Sequence, residues 1–404
     1  MQRCGTKIPE NKYMNISKLR SETKGCATTI HFNNAGASLM PDVVLETIKS
    51  YFDLEAAIGG YEAAIFKAKE IEKCYESVGR LLNCEAKNIA FTGSATDSYN
   101  RALSSIPFQN GDIILTTESD YVSNHLAFMA LQKRFGIFIH SIANDASGEL
   151  NIAEFELAIK KTNPKLVAVT HVPTNSGLIQ PVEEIGKLCK KYDILYLVDV
   201  CQSVGQLPVD VMKIQCDFAS SNTRKFLRGP RGCGFLYVSD KILAMGFEPL
   251  FIDISGATWT GEKSYKSVAT AKRFEDFEFA FALVLATGVA ADYFCEIGAE
   301  NIQKRNAELC KYAISKLEKI KGVRVLDFAP NLSSIITIAI ENHSTLDIRN
   351  HLNSLKINTS YSAKSSALLD YTKKNVIEAL RISPHYYNTE VEIDTLMEAL
   401  KNKI

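Results

Sequence analysis

The chain has 404 residues, 46% hydrophobic and 23% charged, which allows a sizeable buried core and, at roughly 150 residues per domain, two or three domains. Lysine plus arginine and aspartate plus glutamate both number 46. With zero formal charge there is no basic field of the kind that binds nucleic acid or an anionic membrane. Ten cysteines are scattered without a CxxC or zinc-finger spacing, so neither a disulfide framework nor a metal site is expected, and a reducing compartment fits best.

In chain order, residues 1–29 carry basic and polar side chains but no continuous apolar core, which speaks against a signal peptide and for a cytoplasmic protein. Short apolar runs at 88–92, 112–116, 166–170 and 194–198 predict buried strands. Amphipathic stretches at 123–135, 152–161 and 182–192 predict the helices between them. Strands buried on both faces and separated by helices mean a parallel α/β sheet, which collects its ligands beyond the strands' carboxyl ends. The stretch 279–294 is apolar, but Gly288 and Asp292 interrupt it and it is short of the ~20 residues of a membrane span. Beyond about residue 270 the pattern changes to a helix over 301–321, strands at 323–327 and 334–340, and helices at 346–355 and 390–400, a smaller α+β unit.

Three places on this frame carry chemistry. Residues 91–98, FTGSATDS, join a predicted strand to a predicted helix, where free N–H groups face an anion, though Ser94 or Thr96 also suits an ordinary N-cap. The strand at 194–198 runs into Asp199, a carboxylate at the sheet's ligand edge that either pairs with a ligand cation or caps the next turn. Lys225 follows small polar residues and precedes a glycine-rich turn. With Arg224, Arg228 and Arg231 it makes either a cationic pocket for phosphate or carboxylate, or a solvated basic loop. Competing phosphate motifs fail. GPRGCG at 229–234 has the wrong glycine order and leads into a strand, and in GATWTGEKS at 256–264 Glu262 separates Gly261 from Lys263.

Seven blocks stand in a family's order: FNNAG at 32–36, FTGSATDSYN at 91–100, HVPTNSG at 171–177, VDVCQSVGQ at 198–206, TRKFLRGPRGCGFLYV at 223–238, RFE at 273–275 and LRISPHYYNTEVEID at 380–394. From about His31 to the C-terminus the chain resembles the class V aminotransferases, the fold-type-I pyridoxal 5′-phosphate (PLP) enzymes that include cysteine desulfurases. The resemblance implies an α/β fold with a large, mostly parallel seven-stranded sheet. It divides the chain into an N-terminal segment 1–30, a large PLP-binding domain 31–275 and a small α+β domain 276–404.

By the same resemblance Lys225 would hold PLP as a Schiff base and shuttle protons. Asp199 would meet the pyridinium nitrogen and Gln202 the ring's 3-hydroxyl side. Ser94, Ala95 and Thr96 would cradle the phosphate, helped by Asn222 and Arg224. Thr174 stands where desulfurases carry an asparagine near the ring oxygen, with Asn175 next to it. Arg381 would clamp the substrate carboxylate in a pocket lined by Asn34, Ala35 and Gly36. Cys201 would lie against the ring as a small packing residue, and the family's homodimer is implied with an amino-acid substrate.

Three departures narrow the expected activity. Residues 358–370, where desulfurases carry a reactive cysteine, contain none, which disfavours a persulfide relay. The ring-stacking histidine is missing from 120–124, leaving Tyr121 or Val122 to cover that face. The segment after Arg273 lacks the small polar residues through which a partner subunit often touches phosphate. The blocks CQSVGQ, RKFLRGPRG and SPHYYNTE are most similar to the branch with hercynylcysteine sulfoxide lyases and isopenicillin-epimerase-like proteins. The expected reaction is β-elimination from a cysteine-derived thioether or sulfoxide, giving pyruvate and ammonia, with Tyr121 as acid for the sulfur. Transamination or epimerisation is the alternative, and a non-catalytic PLP-fold binding subunit is an alternative of another class.

Overall fold

The computed structural model describes residues 14–145, 148–327, 329 and 331–404. Residues 1–13 of the expected N-terminal segment, with Cys4, lie outside the described residues. The rest of that segment is tied down: helix Ile16–Ser21 is capped by Asn15, and Arg20 donates to the Tyr387 carbonyl at 2.9 Å and pairs with Glu392 at 2.9 Å.

The large sheet has seven strands: β1 Ile89–Thr92, β2 Ile113–Thr117, β3 Phe138–Ile142, β4 Leu166–Thr170, β5 Leu195–Asp199, β6 Phe218–Asn222 and β7 Gly234–Val238. Their order is β1-β7-β6-β5-β4-β2-β3, and every pair is parallel except the two that β7 makes with β1 and β6. This is the seven-stranded, mostly parallel sheet expected from the resemblance. Strands β4, β6 and β7 are buried along their whole length, as helices on both faces require. Two strands carry no apolar run. β6 reads FASSN because Ser220 and Ser221 are fully enclosed and must be small, and β3 is an edge strand with Phe138 left exposed.

Helices Asp42–Ile58 and Ala68–Leu82, which the sequence pattern did not reveal, pack against Phe281–Ile297. The apolar stretch at 279–294 is thus largely a core helix of the large unit, sharing a cluster with Val78, Phe91 and Phe235. Its Gly288 permits the approach, since a Cβ there would lie 2.6 Å from Cys74 Sγ. Among the described residues no single helix is long and apolar enough to cross a membrane.

The second sheet, β8 Val323–Val325, β9 Ile336–Ile340, β10 Ser360–Ala363 and β11 Glu378–Ile382, is antiparallel in the order β8-β9-β11-β10. Helices Ala299–Leu317, Thr345–Ser354 and Glu390–Lys401 bury Leu309, Leu317, Ile348, Leu352 and Leu396 against Ile336, Ile338 and Leu380. The last begins with a Thr389–Glu392 capping box, an N-terminal signal legible in the sequence. Ile30–His31 pairs with Ile357–Asn358 and Phe32 enters the smaller core, so the chain touches the second unit before it builds the first.

Buried Glu275 of the RFE block ties its own segment to β1 and to helix Ala68–Leu82. Its Oε1 accepts from the Phe91 N–H at 2.7 Å and the Tyr75 hydroxyl at 3.0 Å. Burial is the main cause pushing its carboxyl up from 4.5 to about 7. A folded pKa above the unfolded value means the stabilisation is complete below pH 4.5 and lost as pH rises through 7. Between pH 5 and 8, urea unfolding of the wild type should lose about 3 kcal/mol relative to Glu275→Gln at matched pH. Parallel pH profiles for the two proteins would refute this.

Candidate functional site

The sheet's carboxyl edge sets the site. β5 ends in Asp199, β6 in Asn222, and the turn after β1 leads into helix Ala95–Ser105. One pocket is lined by Gly93, Ser94, Ala95, Thr96, Tyr121, Asn124, Asp199, Cys201, Asn222, Arg224, Lys225, Gly232 and Cys233. Asp199 and Lys225, which the sequence separates by 26 residues, are thus brought to one cavity, both buried.

Lys225 has its ammonium 5.9 Å from the centre of the Tyr121 ring. Burial pulls its pKa down. The carboxylate of Asp199 opposes that shift, and the charges of Arg224 and Arg381 reinforce it. Asp199 takes the Cys201 N–H at 2.9 Å on one oxygen and lies 3.4 Å from the Asn124 amide on the other. The Cys201 thiol is pushed well up by burial and stays protonated, in keeping with a packing role.

Ser94 caps the helix by accepting from the Asp97 N–H at 3.1 Å, which leaves the Ala95 and Thr96 N–H groups without partners among the described residues. A helix N-terminus with free N–H groups favours an anion. Gly234 is required next to it, because a Cβ there would fall 2.5 Å from the Ser94 carbonyl carbon and 2.8 Å from the Ala95 nitrogen.

The other expected residues form an adjoining layer. Gln202 Nε2 donates to the Ala35 carbonyl at 3.0 Å and to Thr174 Oγ1 at 2.8 Å. Arg381 donates to Thr174 Oγ1 and to the Thr174 carbonyl, both at 2.9 Å, and to Asn33 Oδ1 at 3.2 Å. Burial is the chief cause that brings Arg381 down to about 10. Arg224 donates to the Gly36 carbonyl. Asn34 is turned away, with its amide spent on the His31 and Ser383 carbonyls and the Tyr387 hydroxyl. Asn175 is likewise engaged, with Ser362 and Ser366.

The cationic pocket expected from three arginines needs correction. Arg231 is exposed, and Arg228 is buried away from the pocket, donating to the Leu39 carbonyl at 2.8 Å and to the Tyr386 and Thr23 hydroxyls at 2.6 Å. Its guanidinium lies 4.4 Å from the Tyr387 ring centre and 5.2 Å from that of Tyr386, a cation–π cage. Only Arg224 of the three lines the pocket.

Sequence reasoning missed Asp120 and Asn124. Buried Asp120 accepts from Thr116 at 2.8 Å, from Thr170, and from Asn124 at 2.9 Å, and burial pushes its carboxyl up. Asp120 lies two residues ahead of helix Val122–Phe135 and Asn124 in its first turn, so the pairing is made by the turn after β2 and has no helical spacing signal in the sequence.

Three buried polar atoms around this site have no partner among the described residues: Gln202 Oε1, Asn222 Oδ1 and Arg381 Nε. With the free helix N–H groups, a neutralisable lysine and a carboxylate at the far side, they fit a flat, polar, phosphorylated aldehyde.

Comparison with known proteins agrees. The model of the aminotransferase class-V family matches residues 30–396. A probable cysteine desulfurase of Pyrococcus abyssi is 31% identical over 388 residues, covering 93% of this chain and 94% of its own. Among solved structures, a cysteine desulfurase of Thermococcus onnurineus superposes with a TM-score of 0.89 at 24% identity, covering 98% of this chain and 99% of its own. The cystine C–S lyase C-DES, solved with its product cysteine persulfide, gives 0.85 at 21% over 94% and 99% of the two chains. At such identities these two show the fold. The family match over nearly the whole chain, and the pocket built to take the cofactor, lead to one conclusion: the chain belongs to the class-V aminotransferases, PLP-dependent enzymes of fold type I.

Proposed function

We propose that the protein is a carbon–sulfur lyase that eliminates a thiol or sulfenate from a cysteine-derived thioether or sulfoxide. Within the family the blocks CQSVGQ, RKFLRGPRG and SPHYYNTE support a place nearest the hercynylcysteine sulfoxide lyase and isopenicillin-epimerase-like branch. The observation that carries the reading is a buried pocket shared by Lys225 and Asp199, combined with a segment 358–370 that holds no cysteine to receive sulfur. The names of relatives, cysteine desulfurases and a cystine C–S lyase, support C–S chemistry.

PLP supplies an electron-withdrawing ring that accommodates the electron pair left when Cα loses its proton. Asp199, buried at the end of β5, would hold positive charge at the ring nitrogen. Arg381 receives the substrate carboxylate through its unused Nε–H, next to the donors it gives Thr174. Lys225, whose amine burial keeps easier to deprotonate, takes the Cα proton. The Cβ–S bond then breaks, and the Tyr121 hydroxyl protonates the leaving sulfur. For a thioether, substrate plus one water gives a thiol, pyruvate and ammonium, so atoms and charge balance.

Purified PLP-loaded enzyme incubated with S-substituted L-cysteines and their sulfoxides should release one pyruvate and one ammonium per substrate consumed. Alanine with transferred sulfur, or a keto acid that keeps the sulfur side chain, would overturn the proposal.

A further inference from the structure

Asn175 stands beside the site, five residues past the end of β4, yet neither end of its amide is free. Its Nδ2 donates to the Ser366 carbonyl at 3.0 Å and its Oδ1 accepts from the Ser362 hydroxyl at 2.6 Å. Ser362 shares a 3.0 Å contact with Ser366 Oγ, which in turn donates to the Ala363 carbonyl at 2.7 Å. Asn175, Ser362 and their hydrogen bonds are buried or half-buried. An amide with one donor and its acceptor committed inside the protein is poorly placed to bind a substrate as well.

We propose that Asn175 is a positioning residue, latching the cysteine-free segment 360–366 to the loop at 171–177 and thereby fixing Arg381. The geometry runs through β10 and β11. Ser360 is the register partner of Arg381, and Ser362 that of Ala379, so the latched strand lies against the strand that bears the arginine. From the other side Arg381 donates to Thr174, the residue before Asn175. The latch therefore closes a ring: Asn175 to Ser362, along β10 to β11, out along Arg381, and back to Thr174. Beyond the segment, at the end of the following helix Leu368–Lys373, Lys373 donates to the Asn144 carbonyl and Asn144 to Ser119 Oγ at 3.0 Å, two residues from Tyr121. In this chain the segment that the resemblance makes a sulfur carrier is a fixed wall of the carboxylate subsite. The inference rests on reading Arg381 as the carboxylate ligand, and it holds whichever bond the enzyme cleaves.

The test uses PLP-loaded protein and glycine, which has the carboxylate but no sulfur to lose, so failure of the lyase reading leaves it intact. Ser362→Ala, which removes one buried hydrogen bond of the latch, should raise the glycine Kd, read from the cofactor absorption, about fivefold, and Asn175→Ala, which removes two, at least as much. The double variant should bind no more weakly than Asn175→Ala alone. Without any ligand, both variants should show faster deuterium uptake across 360–366. Ser362→Ala does not alter the 171–177 loop, so it keeps the test open if Asn175→Ala folds poorly. Wild-type affinity and exchange in Ser362→Ala, with weakened binding in Asn175→Ala, would make Asn175 a direct ligand and overturn the latch. Additive losses in the double variant would do the same.

Discussion

Lys225→Ala is expected to abolish the visible absorption band of the PLP-loaded protein and to lower kcat/KM at least about a thousandfold. The expectation follows from burial and company. Lys225 is almost wholly enclosed, its charged form is disfavoured by burial, and it lines the same pocket as Asp199 and the anion-binding turn at 94–96. A lysine enclosed for packing alone would leave the band intact when truncated. The variant should fold: removing an ammonium that burial penalises relieves a cost, so its melting temperature should match or exceed that of the wild-type apoprotein. Loss of activity by unfolding and by chemistry are thereby separable in one preparation.

Asp199→Asn is the second large effect, a fall in kcat of about a hundredfold with cofactor still bound. The substitution keeps size and an oxygen able to accept the Cys201 N–H, so the turn after β5 should stay in place. It removes the negative charge acting on Lys225 and, under the proposed function, the electrostatic support Asp199 would give a cationic ring. Buried Asp120, reached through Asn124, does not replace it, because its own oxygens are occupied by Thr116, Thr170 and Asn124. A kcat within threefold of wild type would exclude Asp199 from the chemistry.

The sheet was legible wherever burial on both faces forced an apolar run. β4 reads LVAVT and β5 reads LYLVD, and both lie where the pattern predicts. β6 was hidden because its interior demanded serines, and β3 because an edge strand has solvent on one side. The site's centre was legible for a related reason, since a strand ending in a carboxylate and a lysine framed by small residues and glycines are local patterns. The arginines were not. Arg224 and Arg228 stand four apart on one loop, yet Arg228 has φ of 63° and turns into a tyrosine cage, a backbone choice that loop composition does not reveal. Asn34 and Asn175 show the same limit. Amides that resemble ligands by position are consumed by partners 349 and 187 residues away, which only the tertiary fold brings near.

Reduction of the PLP-loaded enzyme with sodium borohydride, followed by digestion and peptide mass spectrometry, shows which lysine carries the cofactor. A phosphopyridoxyl group is expected on Lys225 and on no other lysine at stoichiometric level. A modification confined to a different lysine, or full cofactor binding that reduction leaves unattached, would contradict it.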